Sequence, residues 1–155
     1  MRFDEPPPEP LASALGFLIS WNGQRMAHRF ALGLEPLELR PPQFGVMTLV
    51  AAHPGLTQQE LVGMSMIDAS TMVAVLDGLE RRGLAERRPN PGDRRKHALH
   101  LTRRGTATLA KAREVAVSVA NEALAPLDAD ERQTLQGLLR KLAGVDEQKG
   151  PKGSE

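Results

Sequence analysis

Residues 84–102 constrain the fold of this chain more than any other segment. Leu84 begins a short stretch that runs into the turn-forming sequence Pro-Asn-Pro-Gly at positions 89–92. A second stretch, ending at Thr102, alternates apolar and polar residues, as strands with one buried face do. Two such stretches around a Pro/Asn/Gly turn predict an antiparallel β-hairpin. The sequence Asp-Arg-Arg-Lys follows the turn, so the predicted hairpin has a basic tip.

Positive charge is concentrated around this hairpin. Between Glu80 and Arg104 there are nine Lys and Arg residues against three acidic residues, whereas the whole chain has a net charge of +1. A basic patch on a nearly neutral protein indicates a polyanionic partner such as nucleic acid. A solvated charged face is the simpler explanation of a charge run alone, but the position of this run on a hairpin favours nucleic acid.

The remainder of the chain is predicted to be helical. Aromatic residues make up only 3% of it, so the core must consist of Leu, Val, Ala and Met. Thr57 and Asp128 each precede a glutamate by three residues, as in capping boxes. Asp68 and Thr102 are further N-cap residues, and Gly83 is a helix stop. Apolar periodicity and these signals predict helices over residues 11–34, 41–53, 57–62, 68–82, 102–124 and 128–142.

A helix followed directly by a basic hairpin is typical of a winged helix-turn-helix, which places one element in a major groove and the other along the DNA backbone. We therefore predict a mainly α fold with a small β-hairpin wing and a DNA-binding function. The first and last helices carry more apolar surface than a small central lobe can cover. They are expected to form a helical dimerisation region, which makes the protein a homodimer.

Several classes of protein do not fit the sequence. The chain has no cysteine, which excludes disulfides and thiolate metal sites. It has no apolar run long enough to span a membrane, and its acidic, proline-rich start is unlike a signal peptide, so we expect a cytoplasmic protein without membrane contact. No metal-ligand spacing, Gly-rich phosphate loop or nucleophile motif is present. We therefore expect no metal, no cofactor and no catalytic residues.

The hairpin and the helix before it resemble the MarR family of bacterial transcription regulators. The family pattern is a helix ending in Leu-x-x-Leu-Glu-x-x-Gly-Leu, then Arg, Asp-x-Arg and Leu-Thr. This chain matches it from Leu76 to Leu84, at Asp93 and Arg95, and at residues 101–102. Residues 42–44 and 56–61 resemble the family's second and third helices, and residues 127–142 its final dimerisation helix. The resemblance covers about residues 11–143.

The resemblance implies a homodimer with two winged helix-turn-helix lobes that binds a pseudo-palindromic double-stranded DNA operator, usually as a repressor. It also implies release of the DNA when a small, often aromatic or phenolic, molecule binds between the dimer region and the DNA lobe. The domain boundaries that follow are a flexible arm (1–10), dimerisation helices (11–34 and 102–143), a DNA-binding lobe (41–101) and a flexible tail (144–155).

Two groups of side chains are the candidate DNA contacts. On the hairpin, Arg95 resembles the wing arginine that enters a minor groove, Asp93 its orienting partner, and Arg94 and Lys96 phosphate contacts. On the groove face of the recognition helix, the candidates are Ser70, Thr71, Val73 and Ala74, beside Ala69. These small side chains offer few hydrogen bonds to bases, so base discrimination by this helix is expected to be modest.

The sequence also departs from the family at Met66, which stands in the turn before the recognition helix where the family often has glycine. A left-handed backbone is costly for a residue with a Cβ atom, so this turn is expected to have a different geometry.

A ligand pocket has three candidate residues on the first helix. Trp21, Arg25 and His28 are four and three residues apart and therefore share a helix face. Arg25 can pair with an anionic ligand and Trp21 can stack on a ring. Packing at a dimer interface is the alternative explanation of the same three residues.

Two other functions remain as alternatives. A small-molecule sensor with weak or lost DNA affinity would also explain the small groove-facing side chains, and an operator-binding assay distinguishes it. The second alternative is a small enzyme on a helical scaffold, but the sequence contains no set of catalytic residues that supports it.

Overall fold

The computed structural model describes residues 5–90 and 93–145, and the side chains of residues 5–89 and 97–145. The predicted arm and tail therefore lie partly outside the described residues. The fold is mostly helical with one two-stranded antiparallel hairpin, which confirms the predicted fold class. Its elements are α1 (Leu15–Leu34), α2 (Pro41–Ala52), α3 (Gln58–Met64), α4 (Ala69–Arg81), β1 (Ala85–Asn90), β2 (Asp93–Leu101), α5 (Arg103–Ala123) and α6 (Ala129–Leu142).

Most helices begin where the sequence predicts. The Thr57 hydroxyl accepts from the Glu60 N–H at 3.3 Å, and the Glu60 carboxylate accepts from the Thr57 N–H at 2.7 Å, which completes the capping box of α3. The equivalent two bonds between Asp128 and Glu131 are both 2.9 Å and begin α6. These bonds satisfy N–H groups that have no partner inside the helix.

The first helix begins later than predicted. Leu11–Ser13 form a 3₁₀ turn, Ala14 is extended (φ −91°, ψ 110°), and α1 starts at Leu15. The Ser13 hydroxyl donates to the Pro10 carbonyl at 2.6 Å. Such a local side-chain bond competes with helix propagation and explains the interruption.

The chain divides into two compact units, residues 1–119 and 120–155, which are described separately. The core of the first unit forms around α4, whose Met72, Val75, Leu76 and Leu79 are all buried, as the sequence predicts. They pack in one cluster with buried residues of α2, α3, β2 and α5, namely Val46, Met47, Val50, Leu61, Leu99, Leu109 and Ala112. Phe30 of α1 meets Phe44 of α2 edge to face, with ring centroids 5.0 Å apart.

The hairpin pairs Ala85 with Leu101 and Arg87 with Leu99, and a register shift follows at Pro89 and Asn90. A short segment before α3 also joins β2. The Leu99 N–H donates to the Leu56 carbonyl at 2.8 Å, and the Gly55 N–H donates to the Leu99 carbonyl at 3.2 Å. This additional pairing, which the sequence did not predict, attaches the start of α3 to the base of the hairpin.

The junction between α4, the hairpin and α5 depends on two glycines and a threonine. Gly83 has φ +63°, a conformation that glycine adopts without steric cost. The Thr102 hydroxyl accepts from the Gly105 N–H at 2.9 Å and donates to the Gly83 carbonyl at 2.6 Å. Thr102 therefore caps α5, as predicted, and also joins the two ends of the hairpin segment.

The second unit contains α6, on which Leu138, Leu139 and Leu142 are exposed in the single chain. Leu142 is 74% exposed and Leu138 is 56% exposed. Among the described residues, no helix taken alone has the length and apolar composition needed to span a membrane. Only α3 and α4 taken together, with a bend of 119° between them, have the length and composition for it.

Candidate nucleic-acid interface

The groove-facing residues predicted on the recognition helix lie on an exposed face of α4. Ser70, Thr71, Val73 and Ala74 are all exposed, whereas the apolar residues Met72, Val75, Leu76 and Leu79 of the same helix are buried in the core. One helix therefore presents small side chains to solvent and large apolar side chains to the core. We expect this arrangement in a helix whose buried face packs on the core and whose exposed face contacts a ligand.

Asp68 organises the exposed start of this helix. Its carboxylate accepts from the Thr71 N–H at 2.9 Å and from the hydroxyls of Ser70 and Thr71 at 2.6 Å each. These hydrogen bonds, chiefly those from the two hydroxyls, hold the pKa of Asp68 well below its usual range. The prediction that Asp68 caps the helix is confirmed, and the carboxylate remains ionised at neutral pH.

The same bonds determine what Ser70 and Thr71 can offer to a ligand. A hydroxyl has a single proton, and both protons are already donated to Asp68. The two oxygens can therefore only accept hydrogen bonds from outside. In a DNA major groove the matching donors are the amino groups of adenine and cytosine, and the methyl groups of Val73 and Ala74 match the thymine methyl.

The turn before α4 accommodates Met66 without a left-handed backbone. Ser65 is extended (φ −116°, ψ 165°), and among the described non-glycine residues a positive φ occurs only at Glu38. The Met66 side chain is fully exposed, at 106% of its reference area. Met66 therefore does not adopt the left-handed conformation that its Cβ atom disfavours.

The basic tip of the hairpin is described only in its backbone. Asp93, Arg94, Arg95 and Lys96 form the first residues of β2, and Asp93 pairs with Asn90 across the hairpin. Their side chains, together with Pro91 and Gly92, lie outside the described residues. The contacts predicted for these four side chains therefore stay predictions.

Several arginines near the hairpin are paired with carboxylates of the same chain. Arg87 of β1 contacts Asp77 at 3.2 Å and also Glu80, both on α4. Arg88 donates through Nε to Glu86 at 2.8 Å, and Arg82 donates to Glu38 at 3.3 Å and to the Leu37 carbonyl at 2.9 Å. Three of the nine basic residues counted in the sequence are thus partly neutralised within the chain, so the charge available to a polyanion is smaller than the sequence indicates.

The three candidate ligand residues on α1 differ in exposure. Trp21 is buried, at 8% exposure, and its ring stacks on Phe17 with centroids 5.9 Å apart. Arg25 is half-buried, and its Nε atom is buried without a hydrogen-bond partner among the described residues. His28 is exposed. In the part of the chain that is described, no three His, Cys, Asp or Glu side chains are grouped so as to hold a metal ion.

Comparison with known proteins agrees with this arrangement. The MarR family model matches residues 39–97, which contain α2 to the first part of β2. A Thauera aromatica protein named for transcriptional regulation of the hcr operon is 36% identical over 138 residues, which are 88% of this chain and 82% of that protein.

Two solved structures of DNA complexes have the same fold. The transcriptional repressor CouR bound to a 23-mer DNA duplex is 35% identical with a TM-score of 0.79, and the match covers 90% of this chain and 99% of CouR. A mutant of MarR from E. coli complexed with operator DNA is 31% identical with a TM-score of 0.74, over 83% of this chain and 92% of the other. The chain belongs to the MarR family of winged-helix proteins and is a DNA-binding transcriptional regulator, not an enzyme.

Proposed function

We propose that this protein is a homodimeric repressor that binds a pseudo-palindromic operator and releases it when a small aromatic anion binds. The observation that carries the proposal is the exposed face of α4 beside a hairpin with a basic tip, in a chain whose family includes DNA-bound repressors. We also propose that the protein acts in the bacterial cytoplasm, where the chromosome lies.

Dimerisation is supported by apolar residues that remain exposed in each unit. In the first unit Leu15 is 74% exposed and Ile19 is 50% exposed. In the second unit Leu138, Leu139 and Leu142 form an exposed stripe on α6. Leucines at helical spacing on a solvent face indicate a surface that another protein covers. A second copy of the chain supplies a matching surface, because a two-fold interface uses the same patch on both subunits.

The DNA contacts proposed for each lobe are of three kinds. Ser70, Thr71, Val73 and Ala74 of α4 face base edges in the major groove. Arg95, oriented by Asp93, enters the adjacent minor groove. Arg94 and Lys96 bind phosphates. Base edges provide the sequence discrimination and phosphates most of the salt-dependent affinity.

The proposed effector site involves Trp21, Arg25 and His28. The buried Nε of Arg25, which has no hydrogen-bond partner among the described residues, supports an anionic ligand, because a buried N–H without an acceptor is costly. The Trp21 ring stacks on Phe17, and a packing role for the indole remains the alternative. We propose that Arg25 binds the carboxylate of an aromatic acid and that the stacked Trp21 forms one wall of the site.

The alternative is a sensor with weak or lost DNA affinity, which the small side chains on α4 would permit. A footprint on the DNA upstream of the protein's own gene, followed by fluorescence anisotropy on the protected duplex, separates the two. Saturable binding at sub-micromolar concentration by a dimer of the chain supports the repressor. Binding no tighter than to unrelated DNA supports the sensor.

The effector is tested on the same duplex with a panel of aromatic carboxylates and phenols. A true effector weakens operator binding, and the operator weakens effector binding by the same factor, because the two equilibria are linked. Arg25→Gln should remove the response to carboxylates while leaving the affinity of the free protein for DNA unchanged. A response that persists in Arg25→Gln would contradict the role of Arg25.

A further inference from the structure

A cleft of about 230 Å³ lies where the start of α3 meets the base of the hairpin. Its walls are Thr57, Gln58 and Gln59 on one side and Arg87, His97 and Leu99 on the other. Backbone pairing holds the two walls together. The Leu99 N–H donates to the Leu56 carbonyl, and Thr57 forms an antiparallel β-bridge with Ala98. The cleft is several times larger than the roughly 30 Å³ that one water molecule occupies in the liquid, so it has room for a small polar group.

The side chains around the cleft are mostly hydrogen-bond donors. Each glutamine amide provides two N–H groups, and a protonated imidazole provides two more. His97 and Gln59 are exposed and Gln58 is half-buried, so all three are accessible to a ligand. Leu99, which is buried, closes the floor.

The charge in the cleft depends on His97. Arg87 is the cation in the wall, and its guanidinium is already bound to Asp77 and Glu80 of α4. Glu60 is the one carboxylate of α3, and it accepts hydrogen bonds from Thr57 at 2.7 Å. The three carboxylates named here outnumber Arg87, so the fixed charges facing His97 are negative in sum. A neutral His97 therefore leaves the cleft without attraction for an anion, and protonation of His97 adds one positive charge to it.

We propose that this cleft binds one phosphate of the DNA backbone, through His97 in its protonated form and the side-chain amides of Gln58 and Gln59. In a helix-turn-helix the first of the two helices crosses the DNA backbone while the second enters the groove, and α3 is that first helix. The basic tip of the hairpin continues from His97 and is predicted to lie along the same backbone. The inference rests on the proposed DNA-binding mode. It adds that His97 takes up a proton when the protein binds DNA.

The consequence is that DNA affinity depends on pH. Histidine is the side chain whose charge ordinarily changes between about pH 5 and 8. Each phosphate contact made by a cation changes the slope of log affinity against log salt concentration by about −0.9. A dimer with two clefts should therefore show a slope steeper by about 1.8 at pH 6 than at pH 8.

The experiment uses the full chain and a fluorescein-labelled duplex of mixed sequence, about 30 base pairs long, because phosphate contacts are independent of sequence. Anisotropy titrations are made over a series of KCl concentrations at pH 6 and at pH 8. Wild type should show the pH-dependent slope, and His97→Gln should show the same slope at both pH values. Gln58→Glu, which places a carboxylate in the cleft, should weaken binding at least tenfold at both.

His100→Gln is the matched control. His100 lies three residues further along β2 and is half-buried, and it does not line the cleft. This variant should keep the wild-type difference between the two slopes. A pH-dependent slope that survives in His97→Gln, or is lost in His100→Gln, overturns the proposal while leaving the DNA-binding function intact. Failure of wild type to bind the mixed-sequence duplex at either pH also overturns the proposal, whereas the proposed repressor function is tested separately on the protected operator duplex.

Discussion

Replacing Gly105 by alanine should disrupt the junction between α5 and the hairpin. A Cβ atom on Gly105 would lie 1.8 Å from the carbonyl oxygen of Leu84 and 2.8 Å from its carbonyl carbon. An ordinary carbon–oxygen contact is about 3.3 Å or more, so the first turn of α5 must move away by about 1.5 Å. Because the obstructing atoms belong to the backbone, no change of side-chain rotamer can relieve the contact.

The energetic cost can be estimated from what this movement breaks. The Thr102 N–H donates to the same Leu84 carbonyl at 3.1 Å, and the Thr102 hydroxyl donates to Gly83 at 2.6 Å. Two such hydrogen bonds contribute about 1 kcal/mol each. The movement also opens a gap around Leu84 and Leu109, which are almost fully buried. A gap of about 1 Å removes up to half of the dispersion energy between the atoms on its two sides. We expect a total loss of about 3–5 kcal/mol, which is at the upper end for single substitutions.

Urea unfolding followed by circular dichroism measures this loss, with Gly45→Ala of α2 as the matched control. A Cβ atom on Gly45 meets no described atom within 4 Å. Because alanine is preferred over glycine inside a helix, the control should be more stable than wild type by about 0.5–1 kcal/mol. All samples need the same protein concentration, since association contributes to apparent stability. A loss below about 1 kcal/mol in Gly105→Ala would refute the steric argument.

Three further predictions follow from the caps and the exposed helix faces. Asp68→Asn keeps the α4 cap, but it should flatten the acid limb of the stability curve, monitored by circular dichroism. The low pKa of Asp68 stabilises the fold above its unfolded value of about 3.9, and this contribution is lost as the pH falls through the folded value. Thr102→Val should cost about 1–2 kcal/mol in urea unfolding, whereas Thr102→Ser should cost much less. Leu142→Glu should shift sedimentation towards monomer if α6 forms the dimer interface, and an unchanged dimer would exclude that role.

Interactions between residues close in sequence could be predicted without the structure. The caps at Thr57, Asp68, Thr102 and Asp128 involve a partner three residues away, so helical geometry alone brings the two groups together. The apolar spacing on α4 likewise identified its buried face. One local feature was missed, although its spacing was visible: the hydroxyls of Ser70 and Thr71 donate to Asp68, which determines what this face can offer to a base.

Interactions between distant residues required the tertiary structure. Arg82 binds Glu38 across 44 positions, and Arg87 binds Asp77 across ten, so the free positive charge near the hairpin could not be counted from composition. The cleft beside His97 exists because Leu56 pairs with Leu99, and sequence patterns contain no information about that pairing.

The sequence by itself determined the order of the elements, the family and the buried face of α4. These follow from periodicity and from hydrogen bonds within one helical turn, which form wherever the local conformation forms. The tertiary structure decided which charges are neutralised, where α5 touches the hairpin at Gly105, and which donors surround the cleft. These features depend on how the helices and strands pack. Packing brings together residues that are far apart in the sequence, and the sequence distance between two residues does not determine their distance in space.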